Sequence, residues 1–293
     1  LHTPAMLQEM LQAVRPRRGG VYLDGTLGAC GYSKGILEES SPDGFVVGID
    51  LDPEAIRRAP ERLEGYQGRF RVVHGGFHQA KHILESLGIS AVDAAVVDLG
   101  LSSDQLDDSR RGFSFRFDAP LDMRFDTSSE ETLRELLDHI SVKQLEGILS
   151  TYGEERYFRK LARGILLARD QGKLDTTQDL ASVVSRLMGR RRGKIHPATR
   201  TFQALRIALN REMENLSTAL SEVPDLIKPG GRFCVVSYHS LEDRQVKLSF
   251  RERKKDAGRW KVITPKPIGP GREEVRANPR ARSAKMRVLE VVS

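Results

Sequence analysis

Short apolar runs alternate with helical patterns over the first hundred residues. Gly20-Val21-Tyr22-Leu23-Asp24 reads as a short buried strand, and apolar runs recur at Phe45–Ile49, Phe70–Val73 and Val92–Val97. Helical spacing fills the gaps at Ser33–Glu39, Pro53–Leu63 and Gln79–Leu87. Strands alternating with helices of this length predict an α/β fold with a parallel sheet wound on both faces. Asp24, Asp50 and Asp98 each close a strand. In such sheets the ligand crevice lies outside the carboxyl ends of the strands, so the three acids converge on one place.

From about Leu106 to Ile195 the strand pattern stops. Ser141 with Gln144 and Thr176 with Asp179 form helix-opening capping boxes. Phe158, Leu161 and Ile165, then Leu180, Val183 and Leu187, keep three-to-four spacing. This predicts an all-helical insertion over 106–195 within a sheet domain of 1–105 and 196–293. Its end is marked by Gly189-Arg190-Arg191-Arg192-Gly193-Lys194, too charged to pack. One long amphipathic helix follows, with Phe202, Leu205, Leu209, Met213, Leu216 and Leu220 on one stripe. Pro229-Gly230-Gly231 reads as a turn and Arg232–Val236 as a buried strand. A helix near Leu241–Arg253, with Ser240 and Asp243 as its capping box, precedes strands at Lys261–Thr264 and Met286–Val292. Pro265–Arg282 reads as loop.

Composition narrows the function. The 293 residues can bury a real core, and no window approaches the ~18 continuous apolar residues of a membrane span. Two cysteines, Cys30 and Cys234, make neither a disulfide framework nor a zinc site, which points to a reducing compartment. No signal-peptide pattern opens the chain, although a start at Leu1 leaves a removed leader open. Charge is unevenly spread. Residues 1–185 hold 22 basic and 29 acidic side chains, a balance of −7, whereas 186–293 hold 25 and 11, a balance of +14. A basic field of that size attracts a polyanion, above all nucleic acid.

The loop Asp24-Gly-Thr-Leu-Gly-Ala-Cys-Gly31 follows a strand, precedes a helix and carries glycines three apart. Glycine lets the backbone turn sharply and approach a ligand. The spacing departs from the dinucleotide fingerprint G-x-G-x-x-G. Asp50, about 20 residues on, is placed to accept both hydroxyls of a ribose. A nucleoside without a pyrophosphate fits, and S-adenosylmethionine is the common one. Phe77, after Gly75-Gly76, is placed to cover an adenine face.

At Asp98-Leu-Gly-Leu-Ser-Ser-Asp-Gln-Leu-Asp-Asp108 the chain acquires a recognisable signature. It continues through Arg111-Gly-Phe-Ser-Phe115, Pro120-Leu-Asp-Met-Arg124 and Tyr152-Gly-Glu-Glu-Arg156. Further on come His196-Pro-Ala-Thr-Arg-Thr-Phe-Gln-Ala-Leu-Arg-Ile207, His239-Ser-Leu-Glu-Asp-Arg244 and Asn278-Pro-Arg-Ala-Arg-Ser-Ala-Lys285. Together, over nearly the whole chain, these resemble the bacterial small-subunit rRNA cytosine-N4 methyltransferase family called RsmH or MraW. The resemblance implies a class I (Rossmann-like) methyltransferase sheet with a helical insertion and S-adenosylmethionine as donor. It implies a decoding-centre cytosine as target, cytosine 1402 in standard 16S rRNA numbering. It also implies small-subunit rRNA within the assembled subunit as partner and a bacterial cytoplasmic setting, with organellar members keeping the location open.

By that resemblance, cofactor contacts fall at Cys30, Gly31, Tyr32, Asp50, Phe77, Asp98 and Gln105, alongside the loop glycines Gly25 and Gly28. The family's usual Gly-Gly-His stands here as Cys30-Gly31-Tyr32, and its usual Gly as Ala119, which puts any imidazole role at position 32 in doubt. The better-known amino-methyltransferase box of Asp or Asn, two prolines and an aromatic is replaced by Asp98-Leu99-Gly100-Leu101. Asp98 is the leading candidate to accept an N4 proton, with Ser102, Asp122 and His239 as further polar candidates. Each has a structural alternative: Asp98 as cofactor ligand only, Asp122 as partner of Arg124, His239 as a packing residue. This chemistry needs no metal. Arg190, Arg191, Arg192, Lys194, Arg280, Arg282 and Lys285 are the candidates for RNA phosphates. Two other classes of function remain open from sequence. One is a ribosome-assembly or RNA-binding factor that holds the cofactor without turnover; the other is a methyltransferase of DNA or protein.

Overall fold

The computed structural model describes residues 4–189, 196–256 and 258–292. The chain divides into two compact units, Leu1–Ser102 with Met213–Ser293, and Ser103–Glu212.

The first unit is built on seven strands: β1 (Val21–Asp24), β2 (Phe45–Asp50), β3 (Phe70–His74), β4 (Val92–Asp98), β5 (Ile227–Ser237), β6 (Trp260–Val262) and β7 (Lys285–Val291). Their order is β3-β2-β1-β4-β5-β7-β6; β7 runs antiparallel to both of its neighbours, and the other pairings are parallel. Successive side chains alternate between two cores. Tyr22, Val46, Val96, Cys234, Val236 and Val288 face one layer with helices α1 (Leu7–Val14) and α2 (Gly31–Glu39). Leu23, Val47, Ile49, Ala95, Val97, Phe233 and Leu289 face the other. Burial on both faces is why these strands read as unbroken apolar runs. Helices α3 (Pro53–Arg62) and α4 (Ala80–Ser86) complete the crossovers. The strand order reverses between β1 and β4, so the crevice opens where Asp24 and Asp98 end their strands.

The second unit is helical: α5 (Ser103–Asp107), α6 (Leu133–His139), α7 (Val142–Thr151), α8 (Phe158–Asp170), α9 (Thr177–Met188) and α10 (Thr199–Leu209). The capping boxes at Ser141 and Thr176 form as their spacing requires. Leu133, Leu145, Leu149, Leu161, Ile165, Leu180 and Leu205 are fully buried.

The unit boundaries fall at 102/103 and 212/213 rather than at the expected 105/106 and 195/196. The late boundary has a local cause. The stripe from Phe202 to Leu220 is two helices, α10 and α11 (Glu212–Glu222), broken at Arg211, whose φ is 51°. Asn210 stabilises the break: it accepts from Phe125 N (2.7 Å) and donates to the Met123 carbonyl (2.9 Å) and the Arg206 carbonyl (3.0 Å). Arg206 then takes Glu212 in a two-pronged ion pair at 2.8 Å. Asn210→Ala strands the Phe125 N–H and the Met123 carbonyl. It should lower stability by about 2–3 kcal/mol, read as a shift of the urea midpoint; an unchanged midpoint would show that the break does not depend on this side chain.

Three other expectations change. Pro229-Gly230-Gly231 lies within β5, where the ladder to β4 shifts register between Val92 and Ala94. Pro265–Arg282 holds α13 (Arg272–Ala277) and a 3₁₀ turn at Pro279–Ser283. The cap of α12 (Ser240–Arg253) is His239 with Glu242, not Ser240 with Asp243, because Asp243 is held by Arg287 (2.7 Å) and Lys285 (3.4 Å). Trp260 is buried beneath the guanidiniums of Arg253 and Arg259, at 4.6 and 4.8 Å from its ring centre.

Candidate active site

The loop after β1 is tied to the ends of β4 and β2 by its own backbone. Gly25 N donates to the Val96 carbonyl and Leu27 N to the Ile49 carbonyl, both at 2.9 Å. Thr26 Oγ1 accepts from Asp98 N at 2.7 Å. A Cβ on Gly25 would lie 2.9 Å from Phe77 Cβ and 3.0 Å from Val97, so only glycine lets the loop pass beside Phe77. Gly28 has φ +47° and donates its N–H to Asp50 Oδ2 at 2.7 Å. Cys30 stands in the same left-handed region (φ 64°) at the start of α2, where a glycine would carry no steric cost. Gly31 begins α2, and Ser102 Cβ lies 3.6 Å from where a Cβ on Gly28 would sit.

The three strand-ending acids differ. Asp24 is fully buried and spent within the protein, accepting from Ser33 Oγ (2.6 Å) and Thr26 N (3.3 Å); burial raises its carboxyl. Asp50 takes one backbone N–H on each oxygen, from Asp52 (2.8 Å) and Gly28 (2.7 Å). Each oxygen keeps a lone pair for a further donor, as a ribose diol needs. Burial pushes Asp50 up to about 6, against the pull of those two N–H groups.

Asp98 is the exceptional one. Tyr238 Oη donates to Oδ2 at 3.3 Å. Tyr32 Oη also lies 3.4 Å from Oδ2, but its one proton goes to the Ala5 carbonyl at 2.5 Å. Oδ1 is buried with no hydrogen-bond partner among the described residues. Burial lifts the carboxyl to about 7; the Tyr238 hydroxyl opposes the rise, and the charge of Asp24 adds to it. A buried acceptor without a close donor is costly, so Oδ1 is open to a hydrogen bond from a bound group.

The sheet unit thus brings together Gly25, Gly28, Cys30, Gly31, Tyr32, Asp50, Phe77, Asp98 and Ser102 around the carboxyl ends of its strands. His239, after β5, caps α12: its Nδ1 accepts from Glu242 N at 3.4 Å, and Nε2 lies 3.0 Å from Glu242 Oε1. Gln105 and Asp122 belong to the helical unit. Asp122 meets Arg124 in a two-pronged pair at 2.9 and 2.7 Å; burial acts to raise its carboxyl, yet the arginine holds it below the usual range. Of the basic candidates, Arg280, Arg282 and Lys285 are exposed, and Lys285 pairs with Asp243. Arg190, Arg191, Arg192 and Lys194 lie outside the described residues.

Tyr238 and Thr26, the groups that hold Asp98, escaped the sequence reading. An aromatic at a strand end reads as core, and only contact across strands shows its hydroxyl turned to a carboxylate.

The model of the MraW methylase family matches residues 1–292. The chain belongs to that family. A relative from Citrifermentans bemidjiense, named ribosomal RNA small subunit methyltransferase H, is 45% identical over 99% of this chain and 98% of its own length. One of the same name from Thermomicrobium roseum is 42% identical over 100% of this chain and 94% of its own. The fold is shared with a Clostridium thermocellum protein of known crystal structure, described as an rRNA-methylase, at TM-score 0.50 and 12% identity over 100% of this chain and 99% of that one. S-adenosylmethionine is the cofactor of the MraW methylases. The residues here suit it: a carboxylate at the end of β2 with spare acceptor capacity, and a loop that passes beside Phe77 at a position, Gly25, that only glycine fits.

Proposed function

We propose that this MraW methylase methylates the exocyclic N4 of a decoding-centre cytosine in small-subunit rRNA, cytosine 1402 in standard 16S numbering. The names of the relatives support the small-subunit rRNA substrate. The observation that carries the chemistry is Asp98, with one oxygen held by Tyr238 and the other unpartnered.

When bound, the cofactor would supply a methyl group on an electron-poor sulfonium, with the neutral thioether as leaving group. Asp50 would hold the ribose hydroxyls, the Gly25–Gly31 loop would receive the nucleoside, and Phe77 would cover the base. The N4 lone pair is delocalised into the cytosine ring, so the amine must be aligned and made pyramidal. Asp98 Oδ1 accepts an N4–H bond, favours that pyramidal nitrogen and takes the proton once the new N–C bond forms. Ser102, beside the loop, orients the amine, and His239 sets the direction of α12. Arg280, Arg282 and Lys285, with Arg190, Arg191, Arg192 and Lys194, meet phosphates of an assembled subunit in the cytoplasm. Among the described residues no helix is long and apolar enough to cross a membrane.

Transfer of labelled methyl to small subunits, naked rRNA, DNA and protein tests the reading. Label confined to rRNA supports it; label in DNA or protein, or none, refutes it.

Tyr238→Phe gives a finer test. Its hydroxyl favours the charged form of Asp98, so its loss should move the acidic limb of kcat to higher pH by about one unit, the effect of one hydrogen bond of ~1–1.5 kcal/mol. A kcat–pH profile superimposable on the wild type would separate Tyr238 from the proton acceptor.

A further inference from the structure

We infer that the outer face of α12 is a track for the phosphate backbone of the RNA substrate, leading away from Asp98. This rests on the reading of the protein as an RNA methyltransferase. The helix leaves β5 directly after Tyr238, the residue whose hydroxyl holds Asp98. Its inner face is defined by buried Glu242, Val246 and Phe250. The opposite face carries Arg244, Lys247, Leu248 and Arg251, all exposed. The three cations stand three and four residues apart, which puts them in one row about 4.5–6 Å apart along the axis.

The acids that would ordinarily offset this row are engaged elsewhere. Glu242 accepts from the Tyr238 and His239 N–H groups, and Asp243 is held by Arg287 and Lys285. The remaining acid, Glu252, pairs with Lys255 at 2.6 Å. Lys247, Arg251 and the adjacent Lys254 make no ion pair among the described residues. A solvated helix laced for its own stability would alternate signs along the face. Here Glu242 and Asp243 are held by the protein, Glu252 is exposed but paired with Lys255 past the helix end, and Lys247 and Arg251 face solvent without an acid between them. Leu248, 55% exposed between the two unpaired cations, offers apolar surface to a sugar or base edge. Such a row neutralises phosphates without reading sequence, and it positions the strand beside a base presented to Asp98.

The test is binding of small ribosomal subunits, from cells lacking the gene, across a salt series. Lys247→Gln with Arg251→Gln should leave helix content and cofactor affinity unchanged. The slope of log affinity against log salt should fall by about 1.4–1.8, and affinity at 0.1 M salt by about 25- to 60-fold, from ~0.7–0.9 counterions per contact. The charge-conserving pair Lys247→Arg with Arg251→Lys should restore both. An unchanged slope with a wild type that methylates rRNA overturns the track and leaves the enzyme reading intact. Failure of the wild type to methylate rRNA overturns that reading instead. Weakened binding to phosphatidylglycerol vesicles with intact subunit binding would assign the face to a membrane and also overturn the proposal.

Discussion

Asp98→Asn should lower kcat at saturating cofactor by about 10²–10⁴-fold, the range of a general base, while cofactor affinity stays within about five-fold, the worth of one neutral hydrogen bond. The amide keeps the shape and can still accept from Tyr238, but it cannot take the N4 proton. Wild-type kcat should rise with pH through about 7, where the Asp98 carboxyl ionises, and the residual rate of the variant should not. The same burial has a stability consequence of defined sign. The folded state holds the proton up to about 7, whereas an unfolded Asp releases it near 3.8, so folded protein binds more protons between those values. The contribution is fully present below 3.8 and is lost as pH rises through 7. Asp98→Asn should therefore melt higher than wild type at pH 8, by about 2–4 °C per kcal/mol recovered, and not at pH 4. Collapse of affinity with normal turnover would make Asp98 a cofactor ligand only.

Asp50→Ala should weaken S-adenosylmethionine binding about 10–150-fold, the equivalent of ~1.5–3 kcal/mol for hydrogen bonds to a charged acceptor. The side chain has two tasks, anchoring the Gly28 and Asp52 N–H groups and receiving the ribose hydroxyls, and alanine removes both. Wild-type affinity should itself fall as pH drops through about 6, where protonation weakens Asp50 as an acceptor. Calorimetry on folded variant checks both statements; unchanged affinity would remove Asp50 from the site.

Much of the sheet unit was legible because both faces of its strands are buried, so apolar runs and strand-ending acids mark their own positions. The Gly25–Gly31 loop was legible because steric demand at Gly25 and Gly28 leaves few alternatives. The helix break at Arg211 was not. The apolar stripe continues through it, and the stabilising contacts of Asn210 come from Met123 and Phe125, some 85 residues away. The roles of Asp24 and Tyr238 were hidden for the same reason. Sequence shows three acids at strand ends, but only packing shows that Asp24 is satisfied by Ser33 while Asp98 keeps an oxygen open. His239 displaced Ser240 as helix cap because Asp243 is drawn away by Arg287, a residue on the last strand.

The most direct test of the N4 assignment is mass-spectrometric mapping of small-subunit rRNA from cells without the gene, complemented with wild type or with Asp98→Asn. The proposed function predicts that one N4-methyl mark on a decoding-centre cytosine is absent without the gene, returns with wild type and does not return with the variant. An unchanged map, or a wild-type-dependent methyl on a ring carbon, a ribose or another base, would contradict it.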